Sequence, residues 1–497
     1  MNEAPILTLT LFLPLAGAAL IALTPADATR AIRVLALFTT AATFAVSLGI
    51  PARFDAGDGG FQLVEQASWV PGSGASYRLG VDGISLWLVL LVTFLMPISV
   101  LASWNVTKRV KAFHIVMLVL EVSMVGVFVS LDLILFYVFW EGMLIPMYFL
   151  IGVWGYERRV YAAMKFFLYT LAGSLLMLGA VLSLYFLGGR TFDLEALAAA
   201  GLPLGVQHWL FAGFFASFAV KVPIWPFHTW LPDAHTEAPT AGSVLLAGVL
   251  LKMGAYGFLR LSLPLFPDAS RDWAPWLAVL GVIGILYGGL VSIVQRDIKR
   301  LVAYSSVSHL GFVVLGIAAL TTVGLTGSVL QMVNHGLSTG ALFLLVGMLY
   351  ERAHTRSLEE FRGLAGLMPV FAGAFLLVSL SSLGLPGLNG FVGEFLILNG
   401  AFQVWRVAGA LGALGIILAA VYLLWAYERM FTGKTDVPHE ERRHAWRDIS
   451  LRERVVLAPL VAMILVIGVF PKPFLDRISP SVERTLDAVN GAEVARR

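Results

Sequence analysis

Long apolar runs separated by short polar connectors dominate the chain. Fourteen stretches stand out, at 6–23, 32–50, 84–104, 113–130, 133–152, 166–187, 210–230, 241–261, 276–294, 301–320, 324–349, 367–398, 408–430 and 455–470. Most run to about 17–25 residues, enough for a helix to cross a hydrocarbon core about 30 Å thick. The pattern predicts an all-α polytopic membrane protein with about 14 transmembrane helices.

Composition agrees with that pattern. Lys, Arg, Asp and Glu make up 13% of the 497 residues and hydrophobic residues 58%, where a soluble domain carries about 25% charge. Mean hydropathy is +0.84. So few charges could not cover a soluble surface, and a soluble enzyme is excluded. A net charge of +3, placed mostly in short loops, gives no nucleic-acid surface. The absence of cysteine removes disulfides, thiolate metal sites and iron–sulfur ligation. The first apolar stretch has Glu3 but no positive residue before it, so it is expected to be a retained helix rather than a signal peptide.

Lysine and arginine set the orientation. With the N-terminus outside, 21 of them fall in inner loops, among them Lys299, and 11 outside, among them Arg260; Lys221 and Lys252 lie within spans. The bias places both termini outside the cytoplasm.

Two spans carry breaks. The seventh reads Lys221-Val-Pro-Ile-Trp-Pro and the twelfth Leu383-Gly-Leu-Pro-Gly-Leu. Proline removes a backbone donor, and the freed carbonyls must be satisfied by protein or by water in a cavity. Paired interrupted helices point to inverted repeats. Spans 4–8 and 9–13 make two five-helix blocks of opposite entry direction, with a broken span fourth in each. The expected division is an N-terminal three-helix segment (1–112), a first five-helix repeat (113–262), a second, inverted one (263–431), and a loop, last helix and tail (432–497).

Ionisable residues inside the spans are the candidate chemistry, because a charge at mid-membrane costs about 2.5–3.5 kcal/mol on insertion scales. Four stand out: Glu141, Lys221, Lys252 and Glu394. Structural ion pairs, a grip on a polar solute, and stations on a proton path all fit them. A buried lysine loses its proton more readily and a nearby carboxylate reverses that, so a Glu–Lys pair is a tunable proton carrier. His309 and His335 lie in spans, while His228 and His235 flank the broken seventh; imidazole suits proton relay, although a buried histidine also serves as an ordinary hydrogen-bonding residue. Glu121 is a further carboxylate within a span. Other motifs fail. Gly433-Lys434-Thr435 lacks the glycine of a phosphate loop at position 428, His439 to His444 has one residue too many for a zinc helix, and Gly384, Gly387 and Gly390 do not have dinucleotide spacing. No site for a nucleotide, haem, flavin or metal is evident.

Three segments carry a family resemblance: Phe136-Tyr-Val-Phe-Trp-Glu-Gly-Met-Leu-Ile-Pro-Met-Tyr; Lys221-Val-Pro followed by Phe-His-Thr-Trp-Leu-Pro-Asp-Ala-His-Thr-Glu-Ala-Pro-Thr; and Ala303-Tyr-Ser-Ser-Val-Ser-His-Leu-Gly. Over nearly the whole chain the sequence resembles the antiporter-like membrane subunits of respiratory complex I, the proton-translocating NADH–quinone oxidoreductase. It is most like the M-type group, because Glu394 stands where L- and N-type chains usually carry lysine. The resemblance implies proton translocation from cytoplasm to periplasm, coupled remotely to electron transfer from NADH to quinone. It implies no cofactor in this chain, with FMN and iron–sulfur clusters in partner subunits. The implied partners are L- and N-type chains on either side, within a bacterial inner membrane. The implied roles are Glu141 tuning Lys221, Lys252 as central relay, Glu394 as the far station, His309 and His335 bridging through water, and His228 lining the inlet. An Mrp-type sodium/proton antiporter subunit is the alternative.

Overall fold

The computed structural model describes residues 5–434 and 446–494. The helices of eight residues or more are α1 (Ile6–Leu23), α2 (Thr29–Arg53), α3 (Leu86–Ala102), α4 (Val110–Val129), α5 (Leu133–Trp154), α6 (Arg159–Leu187), α7 (Leu204–Lys221) and α8 (Trp230–Glu237). They continue as α9 (Thr240–Leu265), α10 (Pro267–Ile293), α11 (Ile298–Ala318), α12 (Thr322–Ala353), α13 (Pro369–Ser382), α14 (Asn389–Val404), α15 (Arg406–Phe431), α16 (Leu451–Val469) and α17 (Lys472–Val494).

Every predicted apolar stretch meets a helix, but not every helix is a span by itself. Ten described helices are long and apolar enough to cross a membrane. The other four stretches fall on α3, which has 17 residues, on the broken pairs α7/α8 and α13/α14, and on α16, which meets α17 at a 71° bend.

The expectation of helices alone in residues 1–112 is corrected by a β-hairpin. Strands β1 (Gln62–Val70) and β2 (Ala75–Val81) pair antiparallel, from Gln62 opposite Val81 to Val70 opposite Ala75. The segment is rich in β-branched and aromatic residues and interrupted by Pro-Gly-Ser-Gly. Gly72 and Gly74, both with positive φ, close the turn, a conformation glycine adopts without a Cβ clash.

Side-chain contacts sort the connectors into two ends. Glu65 on β1 accepts from the amides of Leu7 and Thr8 at 2.8 and 2.9 Å, and the Ser481 hydroxyl accepts from the Gly83 amide at 2.9 Å. The start of α1 and part of α17 therefore lie at the hairpin end. Arg78 on β2 pairs there with Asp193 and Glu195. At the opposite end, Arg356 pairs with Asp297 at 3.1 Å and donates to the Thr236 carbonyl at 2.7 Å, while Arg352 pairs with Glu453 at 2.7 Å. The connectors expected to be basic thus gather at one end.

Burial separates the helices into an inner and an outer set. The apolar windows of α9 and α12 are wholly buried and that of α11 is 94% buried, against 33% for α15. The three inner helices carry Lys252, His309 and His335, so these side chains face protein rather than lipid.

Candidate functional site

The two breaks are polar joints whose freed backbone groups find partners. After α7, the amide of Ile224 donates to Ala219 O at 2.8 Å, and the indole of Trp230 donates to Val220 O at 2.8 Å. Between α13 and α14, Leu385 N donates to Leu380 O at 3.0 Å, and Asn334 on α12 donates to Asn389 O at 2.7 Å. Side chains from neighbouring helices do what water does outside a bilayer.

From the centre to the second break runs a line of buried polar groups, hydrogen-bonded except between its two histidines. The α9 helix widens into a π-helical turn at Leu246–Leu250, a distortion frequent at functional sites. Two residues later, Lys252 folds back to donate to the Ala247 carbonyl, and its ammonium stands 2.7 Å from His335 Nδ1 on α12. His335 faces His309 on α11, with ring centroids 5.8 Å apart. His309 Nδ1 lies 2.8 Å from Glu394 Oε1 on α14, and the same oxygen accepts from Gln331 Nε2 at 3.0 Å. Tyr422 Oη lies 3.2 Å from His309 Nε2. If Glu394 is ionised, His309 carries its proton on Nδ1 and Nε2 accepts from Tyr422.

This region has room for water and groups to hold it. His335 Nε2, Glu394 Oε2, Gln331 Oε1 and Asn334 Oδ1 are buried without a protein partner. A cavity of about 10 Å³ lined by His309, Gln331, Asn334, His335 and Ser381 lies among them, near the lower limit for one water molecule. Gly384, with φ +82°, lets Glu394 lie against the second break, since a Cβ there would stand 3.2 Å from Oε2.

The first half is arranged differently. Lys221 ends α7 and is buried, with its ammonium 3.1 Å from the Met143 sulfur. Trp140 and Phe166 offer ring faces at 5.6 and 5.5 Å. Glu141 lies close enough for its charge to act on Lys221, yet the two form no ion pair among the described residues. Oε1 of Glu141 is buried without a partner. The expected Glu141–Lys221 pair is therefore present as neighbours held apart.

His228 lies in the first break, buried beside Tyr287 at a ring distance of 4.9 Å. His235 on α8 is buried and stacked on Phe343 at 4.6 Å, with neither ring nitrogen partnered. Glu121 is buried on α4 with both oxygens unpartnered, and the structure does not bring it into the line. His439, His444 and Thr435 lie outside the described residues. Among the described residues no cluster of three His, Asp or Glu is placed to hold a metal.

Several residues of the site carry no sequence signal of their own. Gln331, Asn334, Ser381, Asn389 and Tyr422 are ordinary polar residues until four helices meet. Two charges counted as loop residues are corrected by the structure. Arg260 is 5% exposed and paired with Asp82, while Lys299 is 4% exposed. Both follow a helix end inward, which hydropathy alone cannot distinguish from reaching out.

The family model described as "NADH:quinone oxidoreductase/Mrp antiporter, TM" matches residues 130–420, and that of "NADH-ubiquinone oxidoreductase chain 4, amino terminus" matches residues 60–127. NADH-quinone oxidoreductase subunit M of Rhodobacter capsulatus is 48% identical over 96% of this chain and 95% of its own. The Mycobacterium tuberculosis H37Rv subunit M is 41% identical over 98% and 95%. A chain of respiratory complex I from Thermus thermophilus with bound NADH superposes with a TM-score of 0.89 at 33% identity, over 97% of this chain and 99% of that one. A chain of the Mrp complex from Dietzia shares the fold, with a TM-score of 0.86 at 23% identity over 99% of both chains. On identity over almost its entire length, the chain belongs to the subunit M family of NADH-quinone oxidoreductases.

Proposed function

We propose that this chain moves protons from cytoplasm to periplasm as the M-type antiporter-like subunit of a bacterial NADH-quinone oxidoreductase. It acts in the inner membrane, between L- and N-type relatives, with both termini on the periplasmic side and about 14 crossings. Residues 113–262 and 263–431 form inverted half-channels. Flavin and iron–sulfur chemistry belongs to partner subunits. This chain contributes proton binding and release.

The observation that carries the reading is the buried line Lys252–His335–His309–Glu394. Lys252 and His335 stand 2.7 Å apart, and His309 and Glu394 2.8 Å apart. Titratable groups this close in a low-dielectric interior share protons rather than hold them independently. In the first half, Lys221 takes a proton from the side lined by His228, and Glu141 sets how tightly it is held. A change of charge next to Glu141, imposed by a neighbouring subunit, releases that proton toward Lys252. Glu394 then receives it and discharges it through the second half.

The test is the complex reconstituted in vesicles with Glu394→Gln. The variant keeps the shape of the side chain and removes its proton exchange. Fewer protons moved per electron are expected; an unchanged ratio overturns the reading.

A further inference from the structure

The start of α11 contains a lysine that this path does not use. Asp297 caps the helix, accepting from the amides of Lys299 and Arg300 at 2.8 and 3.1 Å. Lysines at such an end ordinarily extend into water, because their ammonium is strongly hydrated. Lys299 instead turns inward and donates to the Ala238 carbonyl at 2.5 Å. The Asp297 carboxylate beside it is taken up by Arg356 at 3.1 Å, so Lys299 has no ion-pair partner among the described residues. A lysine kept for structure alone would gain by pairing, since an unpaired buried charge is costly. The arrangement leaves it free to exchange a proton.

What lies on each side of Lys299 gives the exchange a direction. Toward the basic end, its ammonium lies 4.9 Å from the ring of Tyr156, and Tyr156 lines a cavity of about 510 Å³ that also touches Glu157, Arg159, Asp297 and Arg356. Burial, with Tyr350 nearby, pushes the Tyr156 phenol up to about 12, so at neutral pH it is an uncharged neighbour of both cavity and lysine. Toward the centre, three residues before Ala238, is His235. It is fully buried, with both nitrogens unpartnered and its ring held flat on Phe343. The charges of Lys299 and of Lys252 both reach His235, and His335 feels His235 in turn. The unpartnered Nε2 of His335 completes the sequence of buried bases.

Resting on the proton-transfer reading above, we propose that the cavity beside Tyr156 is a second proton inlet, with Lys299 as its loading residue and His235 as the step to Lys252 and His335. A hydronium in the cavity gives one proton to the neutral Lys299 amine, leaving water. Lys299 passes that proton to one nitrogen of His235, and the other nitrogen releases a proton to Lys252 or to His335. Each step breaks one bond to hydrogen and forms one, and the imidazole returns to neutrality. This inlet reaches the central lysine without passing Glu141 or Lys221, so Lys252 is fed from two mouths.

The test uses the whole complex in vesicles, with Lys299→Arg, His235→Gln and Lys252→Met compared by protons moved per electron. Arginine keeps the charge and cannot give up its proton, so a purely structural lysine is served by it. Lys252→Met blocks both routes, so the expected result is that Lys299→Arg and His235→Gln each move fewer protons per electron than the wild type and no fewer than Lys252→Met. If Lys252→Met itself pumps at the wild-type ratio, the central relay fails and this inference with it. If Lys252→Met is impaired while either of the other two pumps fully, the inlet alone is overturned. Should Lys299→Arg prevent assembly, His235→Gln decides by the same criterion.

Discussion

The ammonium of Lys252 and Nδ1 of His335 stand 2.7 Å apart, with no carboxylate paired to either among the described residues. When Lys252 is charged, the ring must offer Nδ1 as acceptor and carry its own proton on Nε2. When Lys252 is neutral, the ring can donate from Nδ1 instead. On the proposed path the two bases share one excess proton, and the ring changes tautomer once Nε2 has released its own. On that path Nε2, which has no protein partner, is where a proton leaves toward His309.

Lys252→Met should abolish that hand-over. Turnover coupled to pumping is expected to fall about 10²-fold, the lower end of what a positioned proton donor contributes, while His335→Gln should be milder because it retains a hydrogen-bonding group. NADH-driven quinone reduction with simultaneous proton uptake into vesicles measures both.

Glu141 and Lys221 form no ion pair among the described residues, the Lys221 ammonium lying 3.1 Å from the Met143 sulfur instead, and their coupling acts through space. Lys221→Ala and Glu141→Gln should both lower the protons moved per electron, with Lys221→Ala the more severe. Full pumping in both variants would remove the first half from the path.

Two glycines are set by the geometry of Glu394. A Cβ at Gly393 would stand 3.0 Å from Asn334 Nδ2 and closer still to Gln331, and overpacking of this kind costs about 1–3 kcal/mol. Gly384→Ala adds the strain of a left-handed backbone, roughly 1–2 kcal/mol. Both are expected to lower pumping with the subunit still assembled, read as subunit content against protons per electron.

The Arg260–Asp82 pair tests stability rather than transport. Arg260 is 5% and Asp82 3% exposed, and Arg260 lies 4.7 Å over the ring of Phe61. Removing one partner of a buried pair costs about 3–5 kcal/mol. Arg260→Met should therefore lower the thermal midpoint of the complex more than Asp82→Asn, which leaves a neutral acceptor for the amides of Ile84 and Ser85, now 3.1 and 3.0 Å from the carboxylate. Thermal unfolding of the purified complex ranks the two.

Much of the fold could be read from hydropathy, because a lipid-crossing helix needs an apolar run of fixed length. The same rule passed over the hairpin at 62–81, whose strands are too short and mixed to register as spans. It also placed Lys299 and Arg260 in loops, because a long cationic side chain at a helix end turns outward or inward according to what packs around it.

The sequence by itself determined that the chain spans the membrane many times, that two of its helices break, and that Glu141, Lys221, Lys252 and Glu394 lie deep among apolar residues. These follow from local composition and from the cost of placing charge in hydrocarbon. Only the tertiary structure decided which of them touch. Lys252 meets His335 because α9 and α12 pack side by side, 83 residues apart in sequence, and His309 meets Glu394 across 85. Contacts at such separations depend on how whole helices sit against one another, which no short stretch of residues records.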